Sequence, residues 1–499
     1  MVTAMEAISY DHKPYKTYAR KECDPNRMGA IARLYGVEAA APNSCRLLEI
    51  GCGTGGNIIP LAERYPGSTF LGIDLSLRHI TEARQVTELL GLKNIEWICA
   101  DIKEYRPERA GFDYIVAHGI YSWISNELQG KLLELCSSAL SKSGVAFVSY
   151  NVLPGWRQRG AVRDVMMFGA SIAGGLDPDE QLRAGLKFLE LVASTRNDPN
   201  DPYGSYLREA LSRLKGSESS YLLHEFLAEY NLPCLFSEFT KRAEGDGLQF
   251  LSEARVSLMS SDDLGPDVAQ FFREISSDII AREQALDIFR NRTFRESLLC
   301  HTEQSLQRDL KASVFRQLFF STTYRQIGAN GANDSRFVEL VSGREVQTPS
   351  GIIAEILGVV GTYGSMGATP EEIRLKAVAD LSATLNEADI ISSLVSLWRS
   401  GFIEVTCDRP LLALASVGKP RAPEYSRMQA QTGELATSLR HEALQLSPIE
   451  REIIIRSNGE QEAAAIINEL SRDHTGNDHT STAVKAAYDR LVQLGFLLL

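Results

Sequence analysis

Residues 47–57, LLEIGCGTGGN, constrain this chain more than any other stretch. A short apolar strand carrying one acid runs straight into four glycines within six positions. Glycine tolerates positive φ and lets a backbone approach a ligand closely. A helix that starts after such a turn presents unpaired N–H groups to negative charge. The spacing Gly51-x-Gly53-x-x-Gly56 satisfies the dinucleotide pattern literally, so the loop alone leaves the nucleotide open.

The flanking sequence sets the fold. Strand-like runs at 45–50, 69–74, 95–101, 113–119 and 144–151 alternate with stretches whose apolar residues are spaced as in helices. That alternation predicts an α/β fold, a doubly wound Rossmann-like sheet over residues 1–160. Residues 161–343 read as a helical middle domain, regulatory or substrate-binding, opened by DPDEQLRAGLKFLELVAST and broken by the loop NDPNDPYGSY. Within it, 235–256 reads as helix, glycine turn and strand, and that strand would complete the first sheet. From 344 to 499 a weak echo recurs. IISSLVSLWRSGFIEV and VKAAYDRLVQLGFLLL each place a helix before Gly-Phe and a short apolar strand. Such units are winged-helix-like, two in tandem, joined by a linker at 416–426. Neither second helix has a basic face, so a protein-contact role is favoured over nucleic acid.

Composition narrows the classes further. At 499 residues the chain needs several cores. The formal net charge of −12 repels polyanions on average. No apolar run reaches the length of a membrane span, and residues 1–6 lack the basic and apolar regions of a secretory signal. The eight cysteines are scattered singly, which argues for reduced thiols in the cytoplasm and against a bound metal.

Acids at strand ends choose the ligand. Asp74 closes the second strand, where a carboxylate bonds ribose hydroxyls in dinucleotide and methyl-donor sites alike. Glu49 precedes the first glycine, where it would repel a pyrophosphate but suit a cationic ammonium. Asp101 closes the third strand, placed to accept from an adenine amino group. LLEIGCGTGG, GIDLS and CADI thus resemble the class I S-adenosylmethionine-dependent methyltransferases. Glu49, Gly51, Gly53 and Gly55 match the first motif of that family, Asp74 its ribose motif and Asp101 its adenine motif. Cys52, Asn57, Leu75 and Ile102 complete the expected cofactor wall, with Tyr15 and His118 reaching in.

The acceptor side is less legible. After the fourth strand, AHGIYSWIS lacks the acid-or-Asn, Pro-Pro, aromatic motif common among enzymes that methylate planar amide or base nitrogens. His118, Tyr121 and Trp123 stand there instead. An amine must be neutral to attack a methyl sulfonium, so a proton acceptor and aromatic faces suit that position. His118 reads as a general base or as a hydrogen-bonded structural residue, and Tyr121 and Trp123 as pocket or core. SYNVLPGW adds Asn151 at the end of the fifth strand, and Trp156 as a channel wall or a staple for the next helix. Upstream, Tyr10, Tyr15 and Tyr18 with Asp11 suit a lid over the cofactor.

SYDHKPY, HGIYSWI and SYNVLPGW, with residues 221–254, 289–301 and 315–321, resemble bacterial methyltransferases that carry a methyltransferase regulatory domain. That family includes protein-lysine methyltransferases acting on outer-membrane protein. One departure is KTYARKECDPNRM, where the family more usually has a proline-rich segment. The resemblance implies N-methylation of lysine in a protein or peptide by SN2 transfer. Two alternatives stay open: a small-molecule or natural-product peptide methyltransferase whose C-terminal half is a lid or homodimer interface, and a non-catalytic binding module for S-adenosylmethionine.

Overall fold

The computed structural model describes residues 17–107, 111–172, 174, 177–275, 278–329, 334–349, 351–381, 386–409, 418–473 and 481–498. Tyr10, Asp11 and Tyr15 lie outside the described residues.

Seven strands form the main sheet: β1 (Arg46–Ile50), β2 (Thr69–Asp74), β3 (Ile95–Cys99), β4 (Phe112–Ala117), β5 (Leu140–Asn151), β6 (Leu248–Glu253) and β7 (Phe294–His301). Their spatial order is β3-β2-β1-β4-β5-β7-β6. The first five run parallel, and β7 is antiparallel to both neighbours. Leu47, Leu48, Ile115 and Val116 are fully buried, as expected for strands covered on both faces. The strand order reverses between β1 and β4, which opens a crevice at their carboxyl ends.

The middle region is not uniformly helical. Helices Trp156–Ile172, Pro178–Thr195 and Pro202–Leu214 pack on their own core around Met166, Leu189 and Leu207. Asp177 and Asp201 cap the latter two, each followed by proline. The chain then returns to the sheet as β6 and β7, so the methyltransferase-like core extends to His301 and the helices at 156–227 interrupt it. β7 lay hidden in the sequence because Arg295 and Glu296 sit near the start of a buried strand. Arg295 is matched internally by Asp287 at 2.9 Å, Glu253 at 2.7 Å and Glu283 at 3.1 Å, and it lies 4.0 Å from the centre of the Phe236 ring. Burying that charge requires such pairing.

In the C-terminal half, β8 (Phe319–Ser321) pairs with a strand some eighty residues later. Between them lie the antiparallel β9 (Tyr324–Ala329), β10 (Asp334–Glu339) and β11 (Glu345–Pro349), then helices Ile352–Tyr363, Pro370–Leu381 and Glu387–Arg399. The partner strand of β8 is β12 (Glu404–Thr406). A second unit contains helix Glu424–Thr432, the hairpin β13 (Leu435–Thr437) and β14 (Ala443–Gln445), and helices Pro448–Arg456, Ala463–Asp473 and Ser481–Gln493. Its core gathers Ile453, Ile466, Tyr488 and Leu491. Among the described residues, no helix is long and apolar enough to cross a membrane.

Candidate active site

The glycine loop sits at the crevice. Gly51 and Cys52 donate their N–H groups to the carbonyl of Ile73, which ties the loop to the end of β2. Gly53 has φ 53°, and a Cβ there would lie 2.5 Å from Cγ2 of Thr17. At Gly56 a Cβ would lie 2.0 Å from the carbonyl oxygen of Thr17. Glycine is therefore required by the close approach of residue 17, whose Oγ1 also accepts the Gly56 N–H at 2.8 Å. The described end of the N-terminal segment thus closes over the loop.

Glu49 and Asp74 lie at the ends of β1 and β2, and Asp101 follows two residues past the end of β3. Glu49 is buried, and Asn57 Nδ2 donates to its Oε1 at 2.8 Å. Oε2 is buried with no hydrogen-bond partner in the described structure. Burial, with the nearby Asp74 charge, pushes the Glu49 carboxyl up to about 8, although Asn57 works against the shift. Asp74 Oδ2 accepts from Gly53 N at 2.8 Å and Oδ1 from Ser76 N at 2.9 Å. Oδ1 also meets His79 Nδ1 at 3.4 Å, so Oδ2 is the oxygen that keeps a lone pair for a ligand. Asp101 accepts the Lys103 N–H at 2.9 Å, and beside it Ile102 is half-buried while Leu75 is 47% exposed. The Cys52 thiol is buried, which pushes its pKa well up and leaves it unreactive.

His118 lies past the end of β4, stacked on Phe147 at 6.0 Å and edge-on to Phe294 at 6.2 Å. Its Nε2 is sealed from solvent and has no hydrogen-bond partner among the described residues. Burial, then the charges of Arg20 and Arg255, pulls the imidazole down to about 3. A base that weak does not hold a proton at neutral pH. His118 is suited to accept a hydrogen bond instead of acting as the general base.

Tyr121 takes the core alternative, against a role at the reacting groups. It is fully buried between Tyr150 and Phe239, its hydroxyl 3.3 Å from Arg242 Nη1, so it is a core residue and does not face the cleft. Trp156 is also buried. Its ring meets Trp123 edge-on at 6.4 Å and carries Arg159 at 5.2 Å, which makes it a staple for the helix it opens. Trp123 is half-buried. Asn151 is buried at the end of β5, its Nδ2 donating to Asn231 at 3.2 Å and its backbone N–H to Ser122 at 2.8 Å.

The fold adds residues that the sequence did not single out. Gly119 N donates to Ser149 Oγ at 2.8 Å, and Ser149 lies directly opposite Glu296 across the β5–β7 ladder. Opposed residues share a face, so Glu296 sits with Phe294 on the His118 side, roughly 10 Å across the sheet from the end of β4. Arg255 Nε bridges Glu296 at 2.9 Å and Glu22 at 3.0 Å. Glu296 Oε1 remains buried, with no hydrogen-bond partner among the described residues. Burial and the neighbouring Glu22 push Glu296 up to about 7 against the pull of Arg255. An open cleft of about 420 Å³ runs beside this group, lined by Arg20, Glu22, Arg255, Trp398, Glu404 and Glu442. No local pattern could have found it, since its walls come from both ends of the chain.

Three family models match the chain. A methyltransferase domain covers residues 47–144, a predicted methyltransferase regulatory domain covers 218–301, and the C-terminal winged helix domain of PKMT covers 418–489. The second match ends at His301, the last residue of β7. An uncharacterized protein of Rickettsia prowazekii is 28% identical over 94% of this chain and 86% of its own length. Another from that organism is 35% identical over 49% of this chain and 97% of its own. Among solved structures, PKMT2 from Rickettsia typhi superposes with a TM-score of 0.85 at 25% identity, covering 97% of this chain and all of that one. It has also been solved in complex with AdoHcy.

Proposed function

Because the chain belongs to the class I methyltransferases that carry a methyltransferase regulatory domain, we propose that it methylates lysine side chains of a protein or peptide, with S-adenosylmethionine as donor. The observation that carries this is the orphaned Oε2 of Glu49 beside the glycine loop, with Asp74 at the end of β2 and Asp101 just past the end of β3. A buried carboxylate oxygen without a partner suits an ammonium, and the two aspartates suit ribose hydroxyls and an adenine amino group. PKMT2, solved with AdoHcy, shares the fold over nearly the full length of both chains and supports this cofactor class.

When bound, the donor supplies an electrophilic methyl on a sulfonium that leaves as a neutral thioether. Glu49 and Asn57 would hold its amino-acid end, Asp74 the ribose, and Asp101 with Leu75 and Ile102 the adenine. The lysine ammonium must lose a proton before its nitrogen lone pair forms the new N–C bond. Glu296, with its free buried oxygen and a pKa near neutrality, is the group we assign to take that proton. Arg255 holds it in place, while Phe294 and Phe147 present aromatic surface around His118. The cleft, whose Glu22, Glu404 and Glu442 are paired with Arg255, Lys21 and Arg27 on the same walls, would receive the acceptor chain.

The free thiols of all eight cysteines support a reducing, cytoplasmic setting. The net charge of −12 favours a basic protein partner over nucleic acid. The test is incubation of the purified protein with labelled S-adenosylmethionine and a lysine-rich protein pool, followed by mass spectrometry. Methylated lysine is expected. Label confined to small molecules, or tight donor binding with no turnover, overturns the assignment.

A further inference from the structure

The hairpin of the C-terminal unit reaches the glycine loop. His441, in the turn between β13 and β14, places Nε2 2.9 Å from Oδ1 of Asn57, across 384 residues of sequence. Asn57 is the last residue of the LLEIGCGTGGN stretch, and its Nδ2 is the group that donates to Glu49. His441, Asn57 and Glu49 are all buried.

The hydrogens in this chain can be assigned from a backbone donor. Arg20 N–H points at the same Asn57 atom at 3.0 Å, so that atom must be the amide oxygen. Its Nδ2 therefore faces Glu49, and the His441 nitrogen that meets the oxygen must carry a hydrogen. Burial draws the His441 pKa down to about 4, so the ring is neutral with its proton on Nε2. Two donors on one oxygen lock the amide against rotation. Without them, Asn57 could turn its oxygen toward Glu49 and repel the carboxylate that forms when a cationic ligand binds.

The turn is held for this purpose at some conformational expense. His441 has φ 60°, a left-handed conformation that residues with a side chain adopt reluctantly. Its N–H bonds to the Ser438 carbonyl at 2.9 Å, and Ser438 N–H to that of Glu442 at 2.9 Å. On either side, Arg440 pairs with Glu404, and Glu442 meets Lys21 Nζ at 3.2 Å. Lys21 and Arg20 belong to the segment whose Thr17 covers Gly53 and Gly56.

We propose that the β13–β14 hairpin is part of the cofactor site, with His441 as a positioning residue that fixes the Asn57 amide and, through it, the carboxylate of Glu49. The inference rests on reading the glycine loop as the S-adenosylmethionine site. It makes cofactor affinity depend on the docking of the C-terminal domain, so a partner that shifts this domain would alter donor binding.

The test uses the full chain and AdoHcy as probe, with calorimetric affinity, the KM for S-adenosylmethionine, kcat and melting temperature measured on each variant. His441→Ala should weaken AdoHcy binding about tenfold, the worth of one good hydrogen bond, and raise KM while leaving kcat near wild type. His441→Gly relieves the left-handed backbone but removes the donor, so it should lose the same affinity. His441→Gln keeps an N–H donor and should recover most of the loss. Wild-type affinity in His441→Ala overturns the proposal. So does an equal loss in all three variants that tracks melting temperature, since that marks a purely structural role. If the wild-type protein does not bind AdoHcy, the reading of the loop fails and the inference fails with it.

Discussion

The carboxylate of Asp74 accepts the backbone N–H of Gly53 at 2.8 Å, so the end of the second strand holds the glycine loop in shape. The residue assigned to the ribose is therefore also a strut for the turn that meets the rest of the ligand. Asp74→Ala removes both contributions and should weaken AdoHcy binding by about 1–3 kcal/mol in calorimetry. Unchanged affinity would refute the cofactor assignment.

Cofactor binding should release a proton. Glu49 is protonated below about 8 in the free protein, because its carboxyl is buried. A ligand ammonium against Oε2 favours the ionised form, so the proton leaves on binding and affinity rises with pH up to that value. Calorimetry near pH 7 in buffers of different ionisation enthalpy should count close to one proton released. In Glu49→Gln the count should fall toward zero.

Turnover should follow the ionisation of Glu296. Its carboxyl, pushed up to about 7, must be ionised to accept the proton of lysine, so kcat should rise as pH increases through that value. Glu296→Gln should lower kcat about a hundredfold and abolish that limb of the profile. Retention of both activity and profile would transfer the role to another group.

Stability should depend sharply on Arg295. Removing it leaves Glu253, Glu283 and Asp287 facing one another inside the core. Arg295→Met should cost about 3–5 kcal/mol in denaturant unfolding, through uncompensated buried charge. A loss below 1 kcal/mol would show that these acids readily take up protons or water.

Acid should destabilise the fold through its buried histidines. His441 stays neutral down to about 4, whereas in the unfolded chain it takes a proton near 6.5. Its contribution is fully present above 6.5 and lost as pH falls toward 4, roughly 3 kcal/mol over that window. His441→Asn, which tolerates a left-handed backbone, should flatten the unfolding free energy between those limits. An unchanged slope would place the sensitivity on His118 and the carboxylates.

The cofactor half of the site was legible because its determinants are local. A strand, a glycine turn and an acid at each successive strand end follow from periodicity and spacing within about sixty residues, so Glu49, Asp74 and Asp101 stood out before any coordinate. Tyr121 stayed open between pocket and core for the same reason: its spacing places it after β4 but does not say which side of the sheet it faces, and it turned into the core. β7 and Glu296 were unreadable, because a strand holding Arg295 and Glu296 looks exposed until the acids that neutralise the arginine are brought to it. The contact of His441 with Asn57 is the extreme case. Nothing near either residue encodes it, since it exists only once two domains dock and a backbone N–H from a third segment settles which way the amide points. The sequence by itself determined the sheet and the nucleotide loop through short-range pattern. Only the tertiary structure decided where the acceptor is met and what holds the loop, because those depend on charge compensation and hydrogen bonds between residues far apart in the chain.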